Sequence, residues 1–274
     1  MNTINVFIYS YKVKSLIENI TDIVNKQSNK NKIIYHIFDQ STTDKTISFK
    51  KRDNVFYRYI SWDDTKGVPY YRKHVLFDQS AKYFLELSPN ISLSKNWDSV
   101  LIESLMPNTI ISGNSIKKIK IDKTHTYIHE EKIDNISESN FIDTNLLFLK
   151  QKDSIFLNQL SFLKYYGQDL FASILSVARG IKIFSMNSDF YTVDSKNIDM
   201  LYYPYSKMHG YNKMIDTINS FKNNTFESFH NIKVSEIPKM YYQVDDVPYH
   251  DARTSIDVSA STKFHNGYNS IRVL

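Results

Sequence analysis

Residues 4–11 of the chain, Ile-Asn-Val-Phe-Ile-Tyr-Ser-Tyr, form a short apolar run that closes on a serine and a tyrosine. The β-branched and aromatic side chains from Ile4 to Tyr9 predict a buried parallel strand. From Lys14 to Lys26 the apolar residues recur at helical spacing, which predicts an amphipathic helix. A second strand, Lys32 to Phe38, ends at Asp39. Strand, helix and strand in this order predict a βαβ unit with a right-handed crossover, and therefore a mostly parallel sheet flanked by helices.

Alternating strands and helices continue after this unit and favour one large α/β domain over residues 1–200. Residues 113–148 hold several short β-rich runs, and residues 201–274 show a weaker pattern that predicts a helical or irregular extension packed on the domain. The further elements predicted are strands Asn54–Ile60, Tyr83–Leu87 and Ile181–Phe184 and helices Pro69–Ser80, Asn96–Leu105, Phe156–Tyr166 and Asp169–Arg179.

The composition is typical of a folded protein in a reducing compartment. The chain has 274 residues, of which 42 % are apolar, so it can bury a substantial core. Cysteine is absent, which excludes a disulfide framework. The start of the chain lacks the basic segment of a signal peptide, and no apolar run reaches the roughly 20 residues that a membrane helix needs. We therefore expect a soluble, cytoplasmic protein without a membrane partner.

The charge balance leaves two interpretations open. The formal net charge is +5 and the isoelectric point is about 9.0. Such a balance occurs in many proteins that bind no anion, and it also suits proteins that bind nucleic acid or nucleotide phosphates.

Polar residues at the ends of the first two strands resemble those of a large enzyme family. Ser10 and Tyr11 follow the first strand, and Asp39 follows the second, ahead of a Ser-Thr-Thr-Asp segment at residues 41–44. The pattern resembles the amino-terminal half of the glycosyltransferase A fold, especially the family-two transferases. The resemblance implies a donor-binding half over about residues 1–110 and an acceptor half over about residues 111–200. It also implies that Ser10 and Tyr11 bind the nucleotide, with Tyr11 stacked near the uracil. Asp39 would accept a hydrogen bond from uracil N3–H, a charge-assisted contact. The competing interpretation of Asp39 is a helix N-cap or an Asx turn.

A glycine followed by a basic helix is the next point of resemblance. In the family an arginine on this helix approaches the phosphates of the donor, and its planar fork suits that contact. Arg72, with Lys66 behind it, is the matching candidate in this chain. A solvated basic helix face is the alternative.

The segment Tyr83–Asn90 resembles polypeptide N-acetylglucosaminyltransferases, together with Asn96-Trp97-Asp98 after it. Members carry acidic or histidine ligands for a divalent cation where this chain has Ser88 and Asn90. Because neutral oxygens bind Mg²⁺ or Mn²⁺ poorly without a carboxylate, three interpretations stay open. The metal binds weakly through Asn90, protein cations such as Arg72 or Lys66 replace it, or the activity has been lost.

Residues 167–169, Gly-Gln-Asp, resemble the Gly-Glu-Asp motif of inverting transferases. The resemblance implies that Asp169 is the general base that deprotonates the acceptor hydroxyl, and a helix N-terminus would keep its carboxylate ionised. The alternative is a plain N-cap. His209, after a Tyr-Pro-Tyr stretch, is a further candidate ligand of the metal or diphosphate, with a structural or exposed histidine as the alternative.

The resemblance implies transfer of glucose from UDP-glucose with inversion. The chain is also similar to the T-even phage enzymes that add a second glucose to glucosylated 5-hydroxymethylcytosine, so double-stranded modified DNA is the expected acceptor. Such a partner would explain the basic surface, because phosphate contacts supply most non-specific affinity for DNA. A protein or polysaccharide acceptor, and a non-catalytic binding module derived from the fold, remain as alternatives. No role is predicted for residues 245–274.

Overall fold

The computed structural model describes fourteen segments of the chain, all of them before residue 194. They are residues 1–11, 16–40, 53–60, 67–78, 80–113, 115–121, 126–131, 135–139, 142–143, 145–162, 172–173, 175–177, 179–187 and 189–193. The predicted extension over residues 201–274 lies outside them, as do residues 169–171 at the start of the predicted helix Asp169–Arg179.

The strands and helices alternate in the first half of the chain, and strands dominate the second half. The strands are β1 (Thr3–Tyr11), β2 (Lys32–Gln40), β3 (Val55–Tyr59), β4 (Tyr83–Leu87), β5 (Ile91–Leu93), β6 (Thr109–Ser112), β7 (Ser115–Ile121), β8 (Thr126–Glu131), β9 (Ser137–Ser139), β10 (Leu146–Lys150), β11 (Lys182–Ser185) and β12 (Tyr191–Val193). The helices are α1 (Leu16–Asn25), α2 (Val68–Leu76), α3 (Trp97–Ser104) and a 3-10 helix, Gln151–Phe162. Residues 172–173 and 175–177 are also helical.

A central sheet of eight strands has the order β3-β2-β1-β4-β10-β6-β11-β9. The pairs β2–β3, β1–β2, β1–β4 and β6–β11 are parallel, whereas β10 is antiparallel to both of its neighbours and β9 is antiparallel to β11. The predicted mostly parallel sheet flanked by helices is therefore confirmed. Two short pairs, β5–β12 and β7–β8, stand beside the central sheet.

Alternation along β1 divides the core between the two faces of the sheet. Ile4, Val6 and Ile8 lie on one face and pack in a cluster with the buried side of α1 and with Trp97 and Leu101 of α3. The indole of Trp97 donates to the backbone carbonyl of Ile23 across 2.9 Å, which joins α3 to α1. The period of two along a strand places the intervening residues, including Phe7, on the opposite face. That face is covered by α2 and the 3-10 helix.

A buried aspartate fixes the turn that connects α1 to β2. Asp98, at the start of α3, is fully buried and accepts hydrogen bonds from the Ser28 amide at 2.6 Å, the Ser28 hydroxyl at 2.7 Å and the Asn31 side-chain amide at 2.8 Å. Buried carboxylates are tolerated when several donors satisfy them. Asp98 thus fixes the turn that precedes the second strand of the βαβ unit.

A helix is present where Phe156–Tyr166 was predicted, but its predicted start is wrong by five residues, and residues 163–166 lie outside the described residues. The chain instead forms the 3-10 helix from Gln151 to Phe162. Gln151 decides where the helix starts. Its side-chain amide donates to the backbone carbonyls of Val75 and Leu76, each at 3.0 Å, and its backbone amide donates to the backbone carbonyl of Lys82 at 3.0 Å. These long-range contacts fix the helix before the apolar periodicity begins.

Candidate functional site

The carboxyl ends of the parallel strands meet at one edge of the sheet, and this edge gathers several of the predicted site residues. Ser10 and Asp39 are register partners at the ends of β1 and β2. Ser88 and Asn90 follow β4, the other parallel neighbour of β1. Open α/β sheets bind ligands at this edge, where loops diverge from the strands.

Three predicted site residues, Lys66, Asp169 and His209, lie outside the described residues. Tyr11 is the last residue of β1, and its side chain is also outside the described part of the chain.

Asp39 is a buried carboxylate and the second-last residue of strand β2. Its side chain is only 2 % exposed, and its Oδ2 accepts a hydrogen bond of 2.9 Å from the Tyr57 hydroxyl on β3. Burial raises the pKa of the Asp39 carboxyl above its ordinary value of 3.8, while the hydroxyls of Tyr57 and Ser10 act in the opposite direction. Because Asp39 lies within a strand, the alternative that it caps a helix is wrong.

Tyr57 is a residue that sequence reasoning missed. Burial raises the pKa of its phenol, and the nearby negative charge of Asp39 raises it further. The hydroxyl therefore stays protonated and donates to Asp39. The available signal was its position, because Tyr57 pairs in register with Ile37, two residues before Asp39, on the same face of the sheet.

An aromatic group lies on the other face of the same strand ends. The Tyr9 hydroxyl donates to the buried Gln40 side chain at 2.6 Å. The ring of Tyr71, on α2, lies 5.8 Å from the ring of Tyr9 and 5.3 Å from that of Phe38. These contacts pack α2 against β1 and β2 and hold the ends of both strands in place.

Arg72 belongs to α2, and its side chain lies between this helix and the sheet. Its side chain is fully buried, and Nη1 bonds to both Glu86 carboxylate oxygens, at 2.9 and 3.2 Å. The alternative of a solvated basic face is therefore wrong for this residue. Its Nε and Nη2 have no hydrogen-bond partner among the described residues. The predicted contact with donor phosphates stays a prediction, and the structure shows that Glu86 already neutralises this cation.

Gly67, before α2, has a conformation that favours glycine. Its φ is 85°, in the left-handed region where a side chain would be strained. The glycine predicted from the family pattern thus has a conformational reason in this chain.

The loop of residues 88–90, called here the Ser88–Asn90 loop, carries no charge. The Ser88 hydroxyl donates to Asn90 Oδ1, and the Asn90 side chain is 1 % exposed. Hard divalent cations prefer at least one carboxylate, and the amide oxygen that could bind one is already bonded. Within the described residues no group of three acidic, histidine or cysteine side chains could hold a metal ion. The described part of this loop therefore does not fit a divalent cation.

A second buried carboxylate, Asp143, was missed at the same edge. It precedes β10, is 3 % exposed, and accepts hydrogen bonds from the Asn145 amide at 2.8 Å and the Tyr191 hydroxyl at 3.1 Å. Gly113, after β6, lies next to both the Asp143 carboxylate and the Tyr191 hydroxyl. The only signal in the sequence was that Asp143 stands just before an apolar run that ends a β-rich segment.

Comparison with solved structures places this architecture in a known fold. A crystal structure of GalNAc-T7 with UDP, GalNAc and Mn²⁺ superposes with a TM-score of 0.58 at 12 % sequence identity. The match covers 85 % of this chain and 55 % of the other, so the chain matches about half of that protein. The fold is of the glycosyltransferase A type. No protein-family model and no curated protein sequence matches the chain.

The helices of the glycosyltransferase A fold described here are short. None within the described residues is both long and apolar enough to cross a membrane.

Proposed function

We propose that this protein is a glycosyltransferase that takes its sugar from a UDP-sugar donor bound at the carboxyl edge of the sheet. The observation that carries the proposal is the Asp39 carboxylate, buried at the end of β2 and bonded through Oδ2 to Tyr57. A glycosyltransferase A fold supplies the context, since such sheets bind ligands where Asp39 lies.

Uracil is the base that this carboxylate suits. Its imide N3–H is a good donor, and an ionised carboxylate is a strong, charge-assisted acceptor. Tyr57 donates to Oδ2 and thereby restrains the orientation of the carboxylate, and we assign Oδ1 as the acceptor for the base. Cytosine has no hydrogen on N3 and would meet the same carboxylate with an acceptor. The site is therefore expected to select uridine over cytidine nucleotides.

The chemical step would use Asp169 as general base with inversion at the anomeric carbon. The leaving diphosphate needs positive charge or hydrogen-bond donors, and Lys66 and His209 are the side chains we assign to it. The GalNAc-T7 structure contains Mn²⁺. Since the described part of the Ser88–Asn90 loop does not fit such an ion, no step of the proposed reaction is assigned to a metal.

For the sugar and the acceptor we propose glucose and the glucose already present on hydroxymethylated DNA. The basic isoelectric point, about 9.0, supports a polyanionic acceptor. Affinity for DNA would fall steeply as salt concentration rises, whereas affinity for a neutral glycan would not. A salt titration therefore separates DNA from a polysaccharide acceptor.

The test of donor binding is isothermal titration with uridine and cytidine nucleotides. UDP should bind and CDP should bind at least tenfold more weakly, with Asp39→Asn removing most of the difference. Asp53→Asn is the matched control, because Asp53 is exposed and lies before β3, at the opposite edge of the sheet. Equal affinity for UDP and CDP would contradict the proposal.

The test of transfer is mass spectrometry of glucosylated, hydroxymethylated DNA after incubation with UDP-glucose. A gain of one hexose is expected with the natural chain and none with Asp169→Asn, which should keep its affinity for UDP. Full turnover by Asp169→Asn would overturn the assignment of the base.

The neutral Ser88–Asn90 loop favours a second candidate, a binding module without catalysis. Such a protein would bind UDP-glucose as the proposed enzyme does, yet release no UDP with any acceptor. The same incubation, assayed for UDP, distinguishes the two.

A further inference from the structure

The Ser88–Asn90 loop is held from both sides by segments of the second half of the chain. On one side the Ser88 amide donates to the Asn145 carbonyl at 2.9 Å, just before β10. On the other side β5, which begins directly after Asn90, pairs with β12. Both flanks of a three-residue loop are therefore bonded to chain that lies more than fifty residues away in sequence.

The two flanking segments are themselves joined by one side-chain bond. Tyr191, the first residue of β12, donates its hydroxyl hydrogen to Asp143 Oδ2 at 3.1 Å. Asp143 Oδ1 accepts the amide of Asn145, whose carbonyl receives Ser88. A closed ring of contacts thus runs from Ser88 through Asn145, Asp143 and Tyr191 to β5 and back to Asn90.

Gly113 provides the space in which this bond forms. A Cβ built on Gly113 would overlap both the Tyr191 hydroxyl and the Asp143 Oδ2. Both side chains are almost completely buried, so neither can move out toward solvent to make room. A side chain at position 113 would therefore separate the donor from the acceptor.

We propose that Asp143 and Tyr191 are positioning residues that hold the Ser88–Asn90 loop in place for the diphosphate of the donor. This inference rests on the proposed function and goes beyond it by naming what orients the loop. Polar groups beside an anion stabilise it best when their geometry is fixed before the anion arrives. An uncharged loop depends on such fixation more than a loop with carboxylates and a cation would.

Opening this ring of contacts should weaken the binding of one part of the UDP-sugar, its diphosphate. Tyr191→Phe removes the hydroxyl that closes the ring of contacts and keeps the aromatic side chain. Its Kd for UDP should rise about tenfold, the change that corresponds to one lost positioning contact of ~1.4 kcal/mol, while its Kd for uridine stays the same. If Tyr191 had only a structural role, its loss would change the affinities for UDP and for uridine equally.

Tyr35→Phe is the matched control. Tyr35 is also buried, and its hydroxyl donates to Gln27 at 2.9 Å, between β2 and the end of α1. This variant loses one comparable bond toward the opposite edge of the sheet. It should leave the Kd of both UDP and uridine unchanged, and its melting temperature gives the scale for the structural loss.

Gly113→Ala provides a second variant if Tyr191→Phe does not unfold cooperatively. This variant keeps the Tyr191 hydroxyl and the Asp143 carboxylate but forces them apart. It should also raise the Kd for UDP without raising the Kd for uridine.

Unchanged UDP affinity in a folded Tyr191→Phe protein would overturn the inference, and so would an equal loss for UDP and uridine. If the natural chain binds neither compound, the proposed function itself is overturned and this inference with it. If Tyr191→Phe keeps its affinity for uridine and loses affinity only for UDP, both the proposed function and this inference are supported.

Discussion

Tyr57 donates its hydroxyl hydrogen to Asp39 Oδ2 across 2.9 Å, from an edge strand to the carboxylate on its parallel neighbour. The bond satisfies one oxygen of a carboxylate that is 2 % exposed. It thus makes ionisation of a buried acid less costly and fixes the direction in which the acid accepts a second hydrogen bond.

Removing this hydroxyl should weaken nucleoside binding. We expect Tyr57→Phe to raise the Kd for uridine about tenfold, since a hydrogen bond to a charged group contributes about 1.5 kcal/mol. Calorimetric titration with uridine measures the change. Tyr35→Phe, which loses a buried hydroxyl away from the site, should bind uridine as the natural chain does. A Tyr57→Phe protein with unchanged affinity would show that Asp39 needs no orienting partner.

The affinity for uridine should depend on pH through Asp39. Burial raises the pKa of this carboxyl above 3.8, and only the ionised form accepts the imide hydrogen. Affinity should therefore fall as the pH is lowered through the raised pKa. Uridine is the proper ligand for this titration, because it has no phosphate that titrates in the same range. Asp39→Asn should bind more weakly and show no such pH dependence.

The same pKa shift makes a prediction about stability. The folded chain binds a proton at Asp39 at a higher pH than the unfolded chain, so this residue lowers the free energy of unfolding as the pH rises between the two pKa values. At neutral pH Asp39→Asn should consequently melt at the same temperature as the natural chain or higher. A clear decrease in melting temperature at pH 7 would mean that Asp39 stabilises the fold in its ionised form.

The pair of Arg72 and Glu86 should behave as a buried ion pair. Glu86→Gln leaves the arginine charge uncompensated in the interior and should lower the free energy of unfolding by about 3 to 5 kcal/mol. Replacing both residues, as Arg72→Met with Glu86→Leu, should recover most of that loss because no charge remains buried. Urea denaturation measures both variants.

The double variant also tests whether Arg72 contacts the donor. If the arginine serves only Glu86, the variant with both replacements binds UDP as the natural chain does. A UDP affinity that falls while uridine affinity is kept would instead support the predicted phosphate contact.

Asp98 should be among the most important polar residues for stability. Asp98→Ala removes the acceptor of three hydrogen bonds and leaves buried donors on Ser28 unpaired, so we expect a loss of about 3 kcal/mol in urea denaturation. Asp53→Ala, at an exposed turn, should change stability by less than about 0.5 kcal/mol. Similar losses for the two variants would contradict the stabilising role of Asp98.

Much of the fold could be predicted because it depends on local pattern. The strand Tyr83–Leu87 has the predicted bounds, and β1, α1 and β2 differ from the prediction by a few residues at their ends. The start of the 3-10 helix was predicted five residues too late, because contacts of Gln151 with α2, 75 and 76 residues apart in sequence, outweigh apolar periodicity. The pair β5–β12 was not predicted at all, since three-residue strands carry too few side chains to show a period.

The candidate site divides in the same way. Ser10 and Asp39 could be placed together because parallel strands end at one edge, and they are register partners. Their role in binding a nucleotide stays a prediction, as do the roles of Tyr11, Lys66, Ser88, Asn90, Asp169 and His209.

The amino-acid sequence by itself determined the βαβ unit, the faces that each element buries, and the polar residues that follow the parallel strands. These features depend on periods of 2.0 and 3.6 residues, which are properties of neighbouring positions. Only the tertiary structure decided the partners: Glu86 for Arg72, Tyr57 for Asp39 and Tyr191 for Asp143, separated by 14, 18 and 48 positions. Each carboxylate is buried, and a buried charge takes whatever donor the packing of distant segments brings within hydrogen-bond distance.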